Sequence, residues 1–261
     1  MSVPAESAPP PALHVAAWDA FAGLRHAFLG RRGGVTPGAL GALNLSERVG
    51  DDAAHVADNW RRARLAVPGL AVVRMQQVHG TRVVAVDAPA ATVGEADAMI
   101  SARVGVGLAV LTADCVPLLG VAPARGAVMA VHAGWRGSLA GIAAQALAAA
   151  QATFGIAPAE WHIALGPAIG GCCYEVEAAI GRQLIDRWGA MPEAWQPAGA
   201  HGQLDLRRAN AAILAGQGVP TAQIVALGPC TACASDAYFS HRRSAGRAGR
   251  QASAIGLVPT G

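Results

Sequence analysis

Two long apolar stretches in the middle of the chain constrain its fold more than any other feature. The first, VGLAVLTADCVPLLGVA, covers residues 106–122, and the second, GAVMAVHAGW, covers residues 126–135. Both are rich in Val, Leu and Ala, and Pro123 lies between them at the second position of a possible turn. The pattern predicts two buried strands that pair as an antiparallel hairpin.

Polar residues interrupt this hairpin. Asp114 and Cys115 lie side by side in the first stretch, and pairing around a turn at residues 122–125 places Cys115 directly opposite His132. A Cys–His pair allows two chemistries. The His can activate the thiolate as a nucleophile, or both can bind a metal with a third protein ligand, as in a catalytic zinc site. A single Cys in an apolar strand can also simply fill the core, so the residue types alone leave these interpretations open.

Strand and helix patterns alternate along the rest of the chain. Helical patterns cover residues 50–67 and 138–155, and two strand patterns meet at a turn that carries His79. The chain shows no fixed-period repeat and no linker. This interleaving predicts an α+β protein with a single domain over residues 1–261, in which residues 1–12 form a flexible Pro-rich tail.

The basic residues exclude several function classes. All 20 of them are Arg, so a Schiff-base lysine, a pyridoxal anchor and a P-loop lysine are ruled out. The net charge is +3 and the basic residues are scattered, which does not indicate a nucleic-acid partner. No apolar run is long enough for a bilayer, and the N-terminus lacks the features of a secretory signal. We therefore expect a cytoplasmic protein with no membrane partner.

Five cysteines are present, and both their odd number and the missing secretory signal argue against a disulfide framework. Two of them are adjacent, and adjacent cysteines rarely fit one tetrahedral metal ion. We therefore expect structural or buried thiols, rather than a second zinc site, at Cys172, Cys173, Cys230 and Cys233.

Six motifs together resemble the YfiH-like proteins, also called the laccase-domain or peptidoglycan editing factor family. They occur in the family's order: QVHG (77–80), ADAMIS (96–101), LTADCVPLL (111–119), AVHAGWRG (130–137), LGPAIGGCCYEV (165–176) and FSHRR…GRQAS (239–253). The similarity runs from about Gly23 to Leu257, although His241 stands where the family often has Tyr. The resemblance implies mixed β-sheets sandwiched between helices in α-β-β-α layers.

The resemblance also implies a chemistry. The family's three zinc ligands match His79, Cys115 and His132, which supplies the third ligand for the predicted Cys–His pair. Members are described as purine nucleoside phosphorylases that cleave adenosine, inosine, guanosine and methylthioadenosine with phosphate, and some deaminate adenosine. Older descriptions call them polyphenol oxidases, and a role in correcting peptidoglycan precursors is also attributed to them.

Phosphorolysis requires an anion site and contacts to the nucleoside. Arg136 and Arg243 are candidates for phosphate, because a guanidinium offers a bidentate fork. Asn44 and Gln77 are candidates for ribose or base, and Asp114 is the acid nearest in sequence to a predicted ligand, as deamination would need. Each position also fits a structural role: a salt bridge or solvated loop for the arginines, and turn capping for the two amides.

Other functions stay open as alternatives. A multicopper laccase needs many paired histidines, whereas this chain has eight His and no H-x-H pair. A metal-free cysteine amidase of peptidoglycan precursors would use Cys115 as nucleophile and His132 as base. A zinc-stabilised binding module would have a fourth protein ligand. We expect a zinc-dependent purine nucleoside phosphorylase, acting on purine nucleosides and phosphate as a monomer or a homodimer.

Overall fold

Two six-stranded sheets lie face to face in the computed structural model, which describes residues 8–260. The helices are α1 (Ala53–Arg64), α2 (Trp135–Ala140), α3 (Ile142–Phe154), α4 (Ala178–Trp188) and α5 (Leu206–Gly216). The strands are β1 (Ala12–Leu13), β2 (Leu24–Leu29), β3 (Ala71–Gln76), β4 (Val83–Ala85), β5 (Thr92–Glu95), β6 (Ala98–Ser101), β7 (Val106–Thr112), β8 (Val116–Ala122), β9 (Ala127–Ala133), β10 (His162–Leu165), β11 (Glu175–Glu177), β12 (Trp195–Ala198), β13 (His201–Leu204), β14 (Ile224–Ala226) and β15 (Gln251–Leu257).

Each large sheet has one face against the other sheet and one face against helices. The first sheet has the order β1-β2-β15-β7-β3-β5, and the second has the order β14-β10-β8-β9-β6-β4. Phe28 and Leu108 of the first sheet share a core cluster with Leu119 of the second. Helix α1 covers the outer face of the first sheet, and α3 and α5 cover the second. The predicted α+β fold with α-β-β-α layers is confirmed.

The central hairpin forms, but its register differs from the prediction. Strands β8 and β9 pair Pro117 with His132, so Cys115 does not lie directly opposite His132. The loop between the strands has four residues, 123–126, and its last, Gly126, has a left-handed φ of 60°. The displacement is two residues. Because side chains alternate between faces with a period of two, Cys115 and His132 still project to the same side.

The helix predicted over residues 138–155 is two helices. It begins earlier, at Trp135, and Gly141 interrupts it with a φ of 88°. A Cβ atom at Gly141 would lie 2.6 Å from Trp188 Cζ2, so the glycine also permits α4 to approach closely. The break results from tertiary contact, which the Ala-rich helical pattern does not reveal.

The last residues of the predicted N-terminal tail belong to the fold. Residues 1–7 of the tail lie outside the described residues, but Pro10 is buried and Ala12 pairs with Leu29 of β2. Residues 10–12 therefore belong to the fold, because β1 adds to the edge of the first sheet. Across residues 8–260, no helix has both the length and the apolar character needed to cross a membrane.

Candidate metal centre and active site

Three predicted ligands converge where the central strands β8 and β9 begin and end, respectively. The donor atoms of His79, Cys115 and His132 all lie within 4.8 Å of one another. Cys115 Sγ is 4.0 Å from His79 Nε2, and the two imidazole rings meet edge-on with centroids 4.8 Å apart. The structure thus brings together the three residues that the family resemblance singled out.

Two of these ligands lie on connections through which the chain passes from the first sheet to the second. His79 lies on the connection from β3 in the first sheet to β4 in the second, and Cys115 ends the connection from β7 to β8. Each crossing needs an unusual backbone conformation: φ is 61° at His79 and 88° at Asp114. Left-handed non-glycine residues are uncommon and cluster at functional sites.

A buried carboxylate orients two of the three ligands. Asp97, which precedes β6, accepts hydrogen bonds from the backbone N–H groups of Val78 (3.2 Å), His79 (3.0 Å) and Gly80 (2.7 Å). Its Oδ1 also lies 2.8 Å from His132 Nδ1. This contact leaves His132 Nε2 free to face Cys115. Sequence reasoning missed Asp97, although an acid within the otherwise apolar ADAMIS motif was a usable signal.

Charges within the site favour a deprotonated sulfur. Burial alone would raise the pKa of the Cys115 thiol, but the His132 imidazolium lowers it below its ordinary value. Burial alone would lower the pKa of His132, whereas the Cys115 thiolate and the Asp97 carboxylate raise it. The thiolate is the form that binds metals and attacks electrophiles.

The donor set fits a single zinc ion. Two imidazoles and one thiolate are ligand types that Zn²⁺ prefers, and three protein ligands leave one coordination position open. Within residues 8–260, the other group with metal-ligand spacing consists of four cysteines. No further histidine cluster accompanies the site in this part of the chain, so the donor set does not match a multinuclear copper centre.

A cavity of about 690 Å³ opens beside the three ligands. Its wall is rich in arginine and contains few acids, so it favours anions. The arginines of the wall are Arg48, Arg74, Arg136, Arg242 and Arg250, and the acids are Glu47 and Asp114.

Of the two predicted phosphate contacts, one lies in the cavity. Arg136 lines it, with its guanidinium 4.3 Å from the centre of the Trp135 ring. Arg243 does not line it, because its guanidinium turns away to donate to the carbonyl of Ala232 at 3.2 Å. Its neighbour Arg242 lines the cavity instead.

Two of the other predicted contacts have structural roles. Asn44 is fully buried away from the cavity, where its Oδ1 accepts from the Arg250 backbone N–H at 3.0 Å. Its Nδ2 donates to Asp51 and to the Ser46 carbonyl. Gln77 lines the cavity, but both ends of its amide pair with the backbone of Leu111, at 2.6 and 2.7 Å.

Asp114 lines the cavity and ties two loops together. Its Oδ1 accepts from the Thr231 hydroxyl at 2.6 Å, and its Oδ2 accepts from the Arg242 backbone N–H at 2.7 Å. Both carboxylate oxygens are therefore engaged, and the residue fixes the wall of the cavity next to Cys115.

Sequence reasoning missed two further polar residues of the wall. Burial lowers the pKa of Arg250, although the negative charges of Cys115 and Asp114 partly offset this effect. The Arg250 guanidinium donates to two carbonyls of its own loop. Burial, together with the Cys115 charge, raises the pKa of Tyr174 to about 12, so its hydroxyl stays a donor at ordinary pH. Both lie within motifs quoted above, but their types alone did not distinguish them.

The chain is similar to proteins of one family over nearly its whole length. A family model described as "Multi-copper polyphenol oxidoreductase laccase" matches residues 25–258. The "Purine nucleoside phosphorylase YlmD" of Geobacillus stearothermophilus is 38% identical, covering 90% of this chain and 91% of the relative. A "Purine nucleoside phosphorylase" of Deinococcus radiodurans is 40% identical, covering 89% of this chain and 88% of the relative.

Solved structures show the same fold. The crystal structure of YlmD from Geobacillus stearothermophilus superposes with a TM-score of 0.84 at 36% identity, covering 92% of this chain and 93% of that one. The hypothetical protein YfiH of Bacillus licheniformis gives a TM-score of 0.88 at 30% identity, with 95% and 97% coverage.

Proposed function

The chain belongs to the multi-copper polyphenol oxidoreductase laccase family, and on that premise we propose that it is a zinc-dependent purine nucleoside phosphorylase. The reaction converts a purine nucleoside and phosphate into the free base and ribose 1-phosphate. The names of the relatives from Geobacillus and Deinococcus support a nucleoside phosphorylase. The proposal also includes the identity of the metal as zinc and four substrates, namely adenosine, inosine, guanosine and methylthioadenosine.

The observation that carries this proposal is an arginine-rich cavity beside an open three-ligand donor set. In phosphorolysis, the bond between ribose C1′ and the purine nitrogen breaks, a bond from C1′ to a phosphate oxygen forms, and the purine nitrogen takes up a proton. The transition state resembles the oxocarbenium ion of glycoside cleavage. A positively charged wall suits phosphate, and the volume suits a nucleoside beside it.

The residues of the wall have distinct tasks in this proposal. Arg136 binds phosphate, since among residues 8–260 its guanidinium contacts the face of an indole ring and has no hydrogen-bond partner, so it can present its N–H groups to the cavity. Tyr174 supplies a hydrogen-bond donor that stays protonated. His79, Cys115 and His132 hold the zinc ion, oriented by Asp97. When bound, the metal supplies positive charge that polarises a substrate oxygen and lowers its pKa.

Deamination of adenosine is proposed as a minor activity of the same site. Asp114 is the acid that sequence reasoning offered for it, but both of its oxygens accept hydrogen bonds within the protein. This engagement favours phosphorolysis as the main reaction. Inosine formation from adenosine without phosphate would measure the minor activity.

The Cys115–His132 pair supports a second candidate, a metal-free cysteine amidase acting on peptidoglycan precursors. Its support is the lowered pKa of the thiol beside a histidine whose ring Asp97 orients. The two candidates differ in their dependence on metal. The amidase keeps its activity after chelation, whereas the phosphorylase loses it.

The test measures purine release from adenosine and inosine, with and without phosphate, on protein of known metal content. We expect phosphate-dependent release and ribose 1-phosphate in the zinc-loaded protein, no release from His79→Ala, and unchanged release from His201→Ala. His201 is an exposed histidine of β13 and serves as the matched control. Failure of the zinc-loaded protein to release base, or release without phosphate, would contradict the proposal. Activity that requires copper and consumes oxygen would also contradict it.

A further inference from the structure

Four sulfur atoms outside the three-ligand site lie close together. The Sγ atoms of Cys172, Cys173, Cys230 and Cys233, here called the cysteine cluster, all lie within 4.8 Å of one another. Cys233 Sγ is 3.4 Å from that of Cys173 and 3.7 Å from that of Cys172. All four are free thiols. Cys172 and Cys173 were not expected to share a metal ion because they are adjacent, but both of their sulfur atoms reach the cluster.

The fold itself brings the two halves of the cysteine cluster together. The parallel strands β10 and β14 are neighbours, and the loop after each one carries two of the cysteines. A parallel bridge joins Ala168 to Cys230, and the Thr231 N–H donates to the Ala168 carbonyl at 3.1 Å. The cysteines thus meet at the carboxyl ends of two paired strands, on a backbone framework that does not depend on them.

The backbone around Cys230 holds the two loops close together. The Ala234 N–H donates to the Cys230 carbonyl at 3.0 Å and closes a turn over the Cys230–Cys233 segment. A Cβ atom added at Gly170 would lie 3.5 Å from Cys172 Sγ and 3.8 Å from Cys230 Sγ, so this glycine lets the chain pass close to both sulfurs.

The sulfur spacing matches one ion rather than a disulfide. Four thiolates about 2.3 Å from a tetrahedral zinc ion stand about 3.8 Å from one another, and the two short contacts of Cys233 are 3.4 and 3.7 Å. We propose that the cysteine cluster binds one Zn²⁺ through four thiolates, as a closed structural site separate from the three-ligand centre. Four protein ligands leave no position for substrate, so this ion would stabilise structure and not react.

The cysteine cluster lies behind the cavity wall. Ile169 and Tyr174, which flank Cys172 and Cys173, both line the cavity, and Thr231 follows Cys230 and bonds Asp114. A zinc ion there would fasten these two loops to each other. This inference stands whether or not the protein is a phosphorylase, because it rests on a different set of ligands.

Metal analysis of protein purified under reducing conditions tests the inference. We expect two zinc ions per chain in the wild type, one in His79→Ala/Cys115→Ser, and one in Cys173→Ser/Cys233→Ser. Loaded with Co²⁺, His79→Ala/Cys115→Ser should show thiolate-to-cobalt charge-transfer absorption, which adding Cys233→Ser should abolish. Failure of His79→Ala/Cys115→Ser to retain zinc would overturn the proposal. Iron in place of zinc would also overturn it.

A second measurement needs no substitution and so does not depend on how the variants fold. Each cysteine of the wild-type protein is alkylated over time and quantified by mass spectrometry, with added zinc and with a strong chelator. We expect zinc to slow alkylation of all four cysteines by at least about tenfold. Equal rates in both conditions, or disulfide bonds among the four under reducing purification, would overturn the proposal.

Discussion

At the scale of single residues, Asp97 does most to shape the candidate site. Its carboxylate accepts from three consecutive backbone N–H groups of the His79 turn and contacts the His132 ring. Burial would raise the pKa of this carboxyl, but these hydrogen bonds lower it, so Asp97 stays ionised. A single buried charge therefore sets the direction of two ligands at once.

Replacing Asp97 tests this role. In Asp97→Asn the side chain loses its charge and one of its two acceptor atoms, so both histidines lose orientation. We expect the affinity for zinc to fall about 10- to 100-fold, measured by competition with a chromophoric chelator. Asp58→Asn is the matched control, since Asp58 pairs with Arg61 and Arg62 on the exposed side of α1. Equal affinities of the two variants would show that Asp97 does not position the ligands.

His26 predicts a pH dependence of stability. Its Nε2 accepts from the Val15 N–H at 2.8 Å, and burial, with a smaller contribution from His14, lowers its pKa from 6.5 to about 4. The folded state therefore disfavours the protonated ring. Stability from this group is complete above about pH 6.5 and is lost as the pH falls toward 4.

A comparison with His26→Gln isolates this effect, because glutamine keeps an acceptor but does not titrate. Between about pH 7.5 and pH 5, we expect the wild type to lose about 1 to 2 kcal/mol more unfolding free energy than the variant, after allowing for solvent screening. Urea titrations at the two pH values measure it. Equal losses in both proteins would contradict the assignment.

At the scale of elements, the local sequence pattern predicted whether a segment is a helix or a strand better than it predicted where the segment begins and ends. The 138–155 pattern is helical, but Gly141 divides it because Trp188 of α4 packs over that position. The hairpin of β8 and β9 was also predicted, but with the wrong register. Its loop has two more residues than a tight turn, since Gly126 supplies a left-handed conformation before β9 begins.

Two Gly→Ala substitutions test whether the backbone conformation and crowding at Gly141 cause the break between α2 and α3. Gly141→Ala places a Cβ 2.6 Å from Trp188 and forces alanine into a φ of 88°. We expect it to cost more than about 2 kcal/mol, seen as a lower melting temperature. Gly216→Ala, at the end of α5, meets no atom within 4 Å and should be neutral or slightly stabilising. Similar melting temperatures of the two variants would contradict this account.

At the scale of the whole molecule, the two sheets depend on one shared core. Phe28 is fully buried between them, and an added Cβ at Gly166 would lie 2.2 Å from its ring. Because the connections between β3 and β4 and between β7 and β8 both cross this interface, the positions of His79 and Cys115 depend on how the sheets pack.

Truncation of Phe28 tests this shared core. We expect Phe28→Ala to cost about 3 to 5 kcal/mol, and fluorescence and circular dichroism to report one coincident transition in urea. Val104→Ala is the control, since Val104 is 55% exposed and should change stability by less than about 0.5 kcal/mol. Separate transitions by the two probes would mean that the sheets do not unfold together.

The positive cavity is also a property of the whole molecule, since its arginines come from distant parts of the chain. We expect Arg136→Gln to raise the KM for phosphate about tenfold, the loss of roughly one charged hydrogen bond, with little change in the KM for nucleoside. Steady-state kinetics at varied phosphate measure this. The control is Arg125→Gln, whose partner Glu160 lies outside the cavity. An equal rise in the KM for phosphate in both variants would show that Arg136 does not bind phosphate.

Sequence patterns were enough to predict the types of the central strands and the shared face of Cys115 and His132, and the family motifs predicted the layered fold. The strand types and the shared face follow from local periodicity, since an error of two residues in register does not change a face, whereas the layered fold follows from the family resemblance. The structure was needed to show that Asp97 orients the ligands, that Arg242 and not Arg243 lines the cavity, and that four cysteines meet. The physical reason is that these contacts join segments distant along the chain, through sheet crossings and loop ends whose positions no local pattern records.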